Sequence, residues 1–449
     1  MRHEAQGLTW RSKLAWLGPA ALALTLAGCG GDSLPKLRDL NPFAEKQQPL
    51  PGKRIAVLDA PDKVGSELAP ADKPIALPVA QTNPDWTQPG GTPTNAPGHL
   101  MIGATLRTVW SADVGTGSSS YGRLTASPIV ADGRIYTLDA AGRVSAFSTT
   151  GAAIWRVSVS PSNERAREGY GGGLAAEGGR IYVGTGYGIV VALEARTGKK
   201  LWEKNLGVPV RTSPTAAGDK LFVMTAQGRF YCLSGADGSE VWTFRGLPER
   251  MSILANVSPA VDGETVIIPY PSGEVVALKV SDGQQLWTES LSGSTRSTSG
   301  LAAISDAARP AIAGGTVYAV GHGGRMLATS QRSGELIWSA NIASIQAPWV
   351  AGGSVFVVDI NGRLMALSRQ DGKVQWTTKL PGDKTWSGPV LAGGRLWLTS
   401  SKGRVISVDA MTGKIGAQLS VGQPVFIAPV VAQGRMYVLT DKARLIALN

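Results

Sequence analysis

From Pro128 to Asn449, apolar residues come in short bursts separated by polar pairs that contain glycine. The first stretch shows the pattern. Pro128-Ile-Val suits a strand opening, since proline is tolerated at the first strand position. Asp132-Gly133 is a tight-turn signal, because a primed turn needs positive φ. Ile135-Tyr-Thr-Leu138 is a second run of β-favouring residues. Ala141-Gly142 turns the chain, Val144 to Phe147 makes a third run, Thr150-Gly151 turns it again, and Ile154-Trp155-Arg-Val157 is a fourth. No long helical periodicity appears between Trp110 and Asn449. The pattern predicts a four-stranded antiparallel meander.

The meander recurs. Anchored on Tyr136, the equivalent positions are Tyr182, Phe222, Ile267, Tyr318, Phe356, Trp397 and Tyr437, which makes eight units. Eight residues before the anchor stand Pro128, Leu174, Pro214, Pro259, Pro310, Pro348, Pro389 and Pro429. Six residues after it stand Gly142, Gly188, Gly228, Gly273, Gly324, Gly362 and Gly403, then Ala443. A second glycine closes each unit from Gly151 to Gly413. Tryptophans follow at 110, 155, 202, 242, 287, 338 and 376, in steps of 38 to 51 residues, and lapse at Gly416. A period of this size marks stacked units that cannot bury their apolar faces alone. The predicted fold is all-β, an eight-bladed β-propeller of four-stranded antiparallel blades. Unit eight ends with its third strand at Leu445–Asn449, so the N-terminal copy Thr105–Trp110 is expected to complete the last blade and remove an open edge. An open β-solenoid fits less well, because such repeats are shorter and need caps.

The N-terminal part is different material. Arg2, Arg11 and Lys13 precede an apolar run from Leu14 to Leu26, too short for a membrane span, and Leu26-Ala-Gly-Cys29 follows. Residues 1–28 read as a signal peptide. Leu-Ala-Gly-Cys resembles the bacterial lipoprotein box, which implies cleavage before Cys29 and acylation of it; the alternative is an ordinary signal with a chance cysteine. In such lipoproteins Asp after the cysteine marks inner-membrane retention; Gly30 stands here, so the outer membrane is expected. Residues 29–98 are rich in proline and poor in apolar periodicity, which favours an extended tether, leaving 99–449 for the propeller. Leu50 to Leu58 offers an apolar patch for docking. Asn83-Pro-Asp-Trp86 either packs one aromatic on the propeller or stays solvated within the linker.

Charge and reactive residues narrow the chemistry. The formal charge is +11, or +9 without residues 1–28. Many basic residues follow turn glycines, as Arg134, Arg143 and Arg229 do, which suits solubility better than nucleic-acid binding. Cys232 alone remains if Cys29 is acylated, so no internal disulfide is available, and it reads as a small buried hydrophobe. His99 and His322 are the only histidines after residue 28, which argues against a His/Cys metal site and leaves little for a catalytic triad. Gly171-Gly-Gly173 and Gly321-His-Gly-Gly324 join no strand to a helix and are not phosphate loops. No cofactor is expected.

Ala192-Leu-Glu-Ala-Arg-Thr-Gly198-Lys-Lys-Leu-Trp202 resembles the repeat of pyrroloquinoline-quinone-type propellers, which include quinone-dependent dehydrogenases and non-enzymatic scaffolds. The dehydrogenases stack their quinone on a disulfide of adjacent cysteines, and no Cys-Cys occurs here. Function is expected on the loops between blades. From each tryptophan position to the next strand opening these span 18, 19, 12, 17, 23, 10, 13 and 13 residues, with insertions before blades four and five. With the lipobox and the tether, the chain resembles the BamB family of outer-membrane lipoproteins. That resemblance implies a non-enzymatic scaffold of the β-barrel assembly machinery, facing the periplasm. Its partners would be the POTRA domains of BamA, other subunits of the machinery and nascent outer-membrane proteins. The family's Leu-x-Leu-Arg contact stretch falls on Met251-Ser252-Ile253-Leu254; Leu254 replaces the arginine, with Arg250 close by. The family's acidic contact falls near Asp306, displaced by one residue. Arg250, Met251, Ile253, Leu254 and Asp306 are thus the candidate partner-binding residues and Cys29 the lipidation site. A quinone-dependent dehydrogenase and a glycan- or ligand-binding propeller are the rival readings.

Overall fold

The computed structural model describes residues 75–449, apart from 104, 121, 163, 165–168, 170, 247–256, 293–306 and 384. Among the described residues are thirty-two strands in eight four-stranded sheets, and no helix. Blade 1 is β2 (Ile129–Ala131), β3 (Arg134–Leu138), β4 (Arg143–Ser148) and β5 (Ala153–Ser158), in that order from the axis outward. Blades 2 to 7 repeat it. Blade 8 joins β30 (Val430–Ala432), β31 (Arg435–Leu439) and β32 (Arg444–Leu448) to β1 (Thr108–Asp113). The closing strand therefore comes from the N-terminal side, as the repeat count predicts, with Trp110 opposite Ala447. It starts three residues later than the repeat suggested.

The strand-opening prolines set where pairing begins. In six blades the inner strand starts directly after the proline, as at Ile129, Thr215, Ala260, Ala311, Trp349 and Val430. In blade 2 leucine stands there, its N–H is available, and the inner strand starts earlier, at Gly172. In blade 7 the inner strand runs Trp386–Ala392 with Pro389 inside it, at a register shift between Ser387 and Val390.

The middle strands are buried on both faces and form clusters between neighbouring blades, such as Tyr136 and Val144 of blade 1 with Leu174, Ile181 and Val183 of blade 2. Outer strands alternate exposed and half-buried positions, as in Ala153–Ser158. The tryptophans on them tie blade to blade. Trp155 Nε1 donates to the Ala195 carbonyl at 3.1 Å, Trp202 to Gly235 at 3.0 Å and Trp242 to Val280 at 3.0 Å. Trp110, Trp287, Trp338 and Trp376 do the same with Thr149, Gln331, Arg369 and Ala410.

Residues 83–100, which include the end of the stretch 29–98 read from composition as a tether, make one lap around the propeller axis. Each blade's inner strand presents unpaired N–H and C=O groups toward the axis, and such groups need partners when buried. Asn83 bonds blade 8, through Gln433 N–H to its carbonyl and its own Nδ2 to the Val431 carbonyl. Trp86 pairs both ways with Val130 of blade 1 at 2.7 and 2.8 Å. The Thr87 carbonyl takes Ala176 N–H of blade 2. The Gln88 side-chain amide imitates a strand on blade 3, donating to the Ala216 carbonyl and accepting its N–H. Pro93 and Thr94 carbonyls accept from Val261 and Ile312 of blades 4 and 5. Trp349 of blade 6 donates to the Gly98 carbonyl, and Leu100 bridges Leu391 and Gly393 of blade 7. Trp86 is 2% exposed and stacks on Trp349 at 6.2 Å. The segment's proline and glycine content thus serves a curved path rather than a solvated linker. A β-carbon at Gly90 would lie 2.2 Å from Asn95 Oδ1, so only glycine lets the chain cross there.

Antiparallel strands alternate direction, so turns between first and second strands share a face with those between third and fourth. The lap lies on that face, against Asp132, Gly393 and Gln433. The connections between blades start and end on the opposite face.

Candidate functional site

Cys29, Arg250, Met251, Ile253, Leu254 and Asp306 all lie outside the described residues. The structure does describe the ends that their two loops join. Residues 247–256 follow Gly246 and lead into Val257; residues 293–306 follow Ser292 and lead into Ala307. Gly246 is held by its N–H on the Gly228 carbonyl, and a β-carbon there would sit 2.2 Å from the Tyr270 ring. Ala307 donates its N–H to the Tyr270 carbonyl at 3.3 Å. Ser292 and Ala307 bridge Gly324 and Gly321. One buried residue, Tyr270, therefore seats an end of each loop. Burial pushes its hydroxyl pKa up, with Glu274 adding to the shift, so it stays a neutral packing group.

The chain leaving each loop runs to the axis, through Val257 after the first and Arg309, two residues beyond Ala307, after the second. Val257 and Arg309 both line a cavity of about 180 Å³ at the channel mouth on the inter-blade face. Leu124, Ile345, Ile427 and the half-exposed Phe426 contribute apolar wall, and Pro89 of the lap contributes to its lining. Sequence reading missed Arg309, although the repeat carries a signal for it. The residue before each strand opening is Ser127, Gly173, Ser213, Ser258, Arg309, Ala347, Gly388 and Ala428. Seven are small; one is a long cation. Burial pushes the Arg309 pKa down to about 10, which leaves it charged at neutral pH.

Elsewhere the reactive side chains have structural surroundings. Cys232 is fully buried, and burial raises its thiol to about 12, with Lys220 opposing weakly, so no thiolate is available at neutral pH. His99 Nε2 accepts the Gly394 N–H at 2.8 Å, which leaves the proton on Nδ1 to face the Pro78 carbonyl at 2.7 Å. It fastens the segment before the lap to blade 7. Among the described residues no group of three or more His, Cys, Asp or Glu is placed to hold a metal. No described helix is long and apolar enough to cross a membrane.

A family model described as "Outer membrane protein assembly factor BamB" matches residues 140–378 and 379–449. The outer membrane protein assembly factor BamB of Yersinia pestis is 28% identical over 243 residues, covering 53% of this chain and 61% of that protein. That of Moranella endobia is 26% identical over 246 residues, covering 53% and 62%. The chain thus spans less than two thirds of the length of these curated relatives. The solved structure of BamB from Moraxella catarrhalis superposes with a TM-score of 0.66 at 20% identity, over 77% of this chain and 100% of that one. Quinohemoprotein alcohol dehydrogenase from Comamonas testosteroni reaches 0.65 at 14% identity, over 82% and 81%. At such identities both structures show a shared propeller fold and nothing finer. The family model spans most of the propeller, from β4 of blade 1 to the last three strands of the chain, and on that match the chain belongs to the BamB family of outer membrane protein assembly factors.

Proposed function

We propose that this protein is a non-enzymatic scaffold of the machinery that folds and inserts outer-membrane β-barrels. In this reading acyl chains on Cys29 hold it at the periplasmic side of the outer membrane. The inter-blade face binds the POTRA domains of a BamA-type subunit through the loops 247–256 and 293–306, with Met251 and Ile253 as apolar anchors and Arg250, Leu254 and Asp306 around them. The observation that carries the reading is the common seat of both loops on Tyr270, within a chain of this family. Two insertions rooted on one buried residue present a joint surface, and a few apolar anchors typically dominate such interfaces.

Affinity purification from native membranes in mild detergent tests it. The wild type is expected to bring down the barrel subunit, and Ile253→Asp to lose most of that recovery while keeping the wild-type melting profile. Undiminished recovery with Ile253→Asp removes the site assignment. The dehydrogenase reading is tested on the same preparation by adding pyrroloquinoline quinone and an artificial electron acceptor; alcohol-dependent dye reduction would displace the scaffold reading.

A further inference from the structure

Blades 7 and 8 carry a charge on the inter-blade face that the repeat does not require. At the tip of the turn between second and third strands, just before the repeat's glycine position, blades 1 to 6 hold uncharged residues, from Ala141 to Asn361. Blades 7 and 8 hold Lys402 and Lys442 there, both exposed. Contacts join these two tips into one surface. Lys402 Nζ donates to the Gly382 carbonyl at 3.3 Å, and Gly403 lies against the backbone of Gln423. Gln423 Oε1 accepts from Thr440 Oγ1 at 2.7 Å, and the Asp441 N–H donates to the Pro424 carbonyl at 2.8 Å. The segments concerned, 379–385, 400–404, 420–428 and 440–444, hold six cations in sequence: Lys379, Lys384, Lys402, Arg404, Lys442 and Arg444. Against them stand two acids, Asp383 and Asp441. The Asp383 side chain is fully buried and shared between Arg404 and Lys402, so its charge is covered from the solvent side by cations. Between the two lysine tips, in the connection from blade 7 to blade 8, Phe426 is 46% exposed; Ile360, on the neighbouring tip of blade 6, is 47% exposed.

The distribution narrows the partner. The added charges are lysines, compact point charges on flexible stems, set one to a turn tip on separate blades. Recognition of a carboxylate at a fixed place on a protein favours the planar fork of arginine held in one geometry. A spread of lysines asks only for negative charge facing it over a wide area, which an anionic membrane surface supplies. Exposed apolar side chains among cations complete the pattern of a peripheral membrane contact, with the rings entering between headgroups. We infer that the blade 7–8 sector of the inter-blade face binds the surface of an anionic phospholipid bilayer, with Lys402 and Lys442 over the headgroups and Phe426 at the lipid boundary. This rests on the scaffold reading only in placing the chain beside a membrane. The two candidate partner loops leave blades 3 and 4, so one face would serve partner and membrane on different sectors.

Sedimentation with vesicles tests it, using the full chain carrying Cys29→Ala so that no acyl anchor contributes. Vesicles of phosphatidylethanolamine with phosphatidylglycerol are compared with vesicles of phosphatidylethanolamine with phosphatidylcholine. Binding to the anionic vesicles is expected to be about tenfold tighter or more, and to weaken as salt is raised. Lys402→Glu with Lys442→Glu is expected to cost about tenfold or more, and Phe426→Ser about threefold. Lys199→Glu with Lys414→Glu changes the net charge equally on exposed turns of the opposite face and should leave binding at the parent level. Absence of binding, equal binding to both vesicle types, or equal losses in the two double variants overturns the proposal. So does a Lys402→Glu, Lys442→Glu protein that keeps vesicle binding but loses the barrel subunit in copurification, which would make the sector a protein contact. Failure of the scaffold reading shows separately, in the recovery with Ile253→Asp. If the Lys402→Glu, Lys442→Glu protein does not fold, the lipid and salt comparisons on the parent chain still decide.

Discussion

The ring of Trp155 lies on Gly198 of the next blade, so closely that a β-carbon on Gly198 would stand 2.7 Å from the ring. Gly198 adopts φ +76°, which presents its bare α-carbon to the indole. The same pairing joins Trp110 to Gly151, Trp202 to Gly238, Trp242 to Gly283, Trp287 to Gly334, Trp338 to Gly372 and Trp376 to Gly413. Two features of the repeat, a tryptophan and a glycine some forty residues on, are thus two halves of one contact. The lapse at Gly416 follows from the same geometry. A tryptophan there would reach for the turn after the third strand of blade 8, and that blade takes its fourth strand from β1, so no such turn exists.

Gly198→Ala is expected to cost about 2–3 kcal/mol, from the left-handed backbone and the displaced ring together. Gly218→Ala is the control. It has φ +63° with nothing within 4 Å of the added carbon, and only the backbone term of about 1 kcal/mol should appear. Urea unfolding of both variants measures the difference. Equal losses would mean that the indole contact adds nothing.

The axial lap should matter to stability as a core element does. Trp86→Ala removes a fully packed side chain and is expected to cost about 3–5 kcal/mol. Gly90→Ala, with Asn95 in the way, should also lower the melting temperature. A lap that merely rests on the propeller would leave both melting curves close to wild type.

Stability should fall in alkali. Burial holds the Cys232 thiol at about 12 against an ordinary 9.0, and it raises the hydroxyls of Tyr136, Tyr182, Tyr270 and Tyr437 as well. With folded values above unfolded ones, the folded chain retains protons that the unfolded chain releases. The stabilisation is complete below the unfolded values and drains away as pH climbs toward the folded ones. For Cys232 that window runs from about pH 9 to 12. Urea midpoints at pH 7, 9 and 10.5 should decline, and less steeply in Cys232→Ala; parallel declines would remove the thiol from the account. Native Cys232 should also resist maleimide at pH 7 and react only on unfolding.

If Cys29 carries the acyl anchor, Cys29→Ala moves the protein from the membrane pellet to the soluble periplasmic fraction. Fractionation of cells expressing the two forms reads this directly. Wild-type partitioning of the variant would return Leu26-Ala-Gly-Cys29 to the status of an ordinary signal with a chance cysteine.

Blade number, strand order and the closing strand are all legible in the sequence, because each rests on a short-range rule applied eight times. Pro429 opens a strand for the same reason that Pro128 does. The lap was hidden for the opposite reason. Its bonds run through main-chain groups such as those of Trp86, Thr87, Pro93 and Thr94 and through three side-chain amides, Asn83, Gln88 and Asn95, so no hydrophobic period announces it. Trp86 alone hinted at packing. At the site, the repeat did hold the sign of Arg309, but only when the residue before each proline is compared across all blades. Arg250, Met251, Ile253, Leu254 and Asp306 fall outside the described residues, and what the structure adds to them is the common footing of their loops at Tyr270.

Tension applied to the chain ahead of residue 75 meets the lap before it meets β1. β1 is the outer strand of blade 8, paired with β32 and pinned at Trp110 to Tyr437 and to blade 1, so a pull on it would load that one seam. Residues 83–100 instead pass the load to all eight inner strands. A chain fastened at its N-terminal end would then resist tugging as a hooped cask resists it, with the staves pressed together and the seam between first and last unloaded.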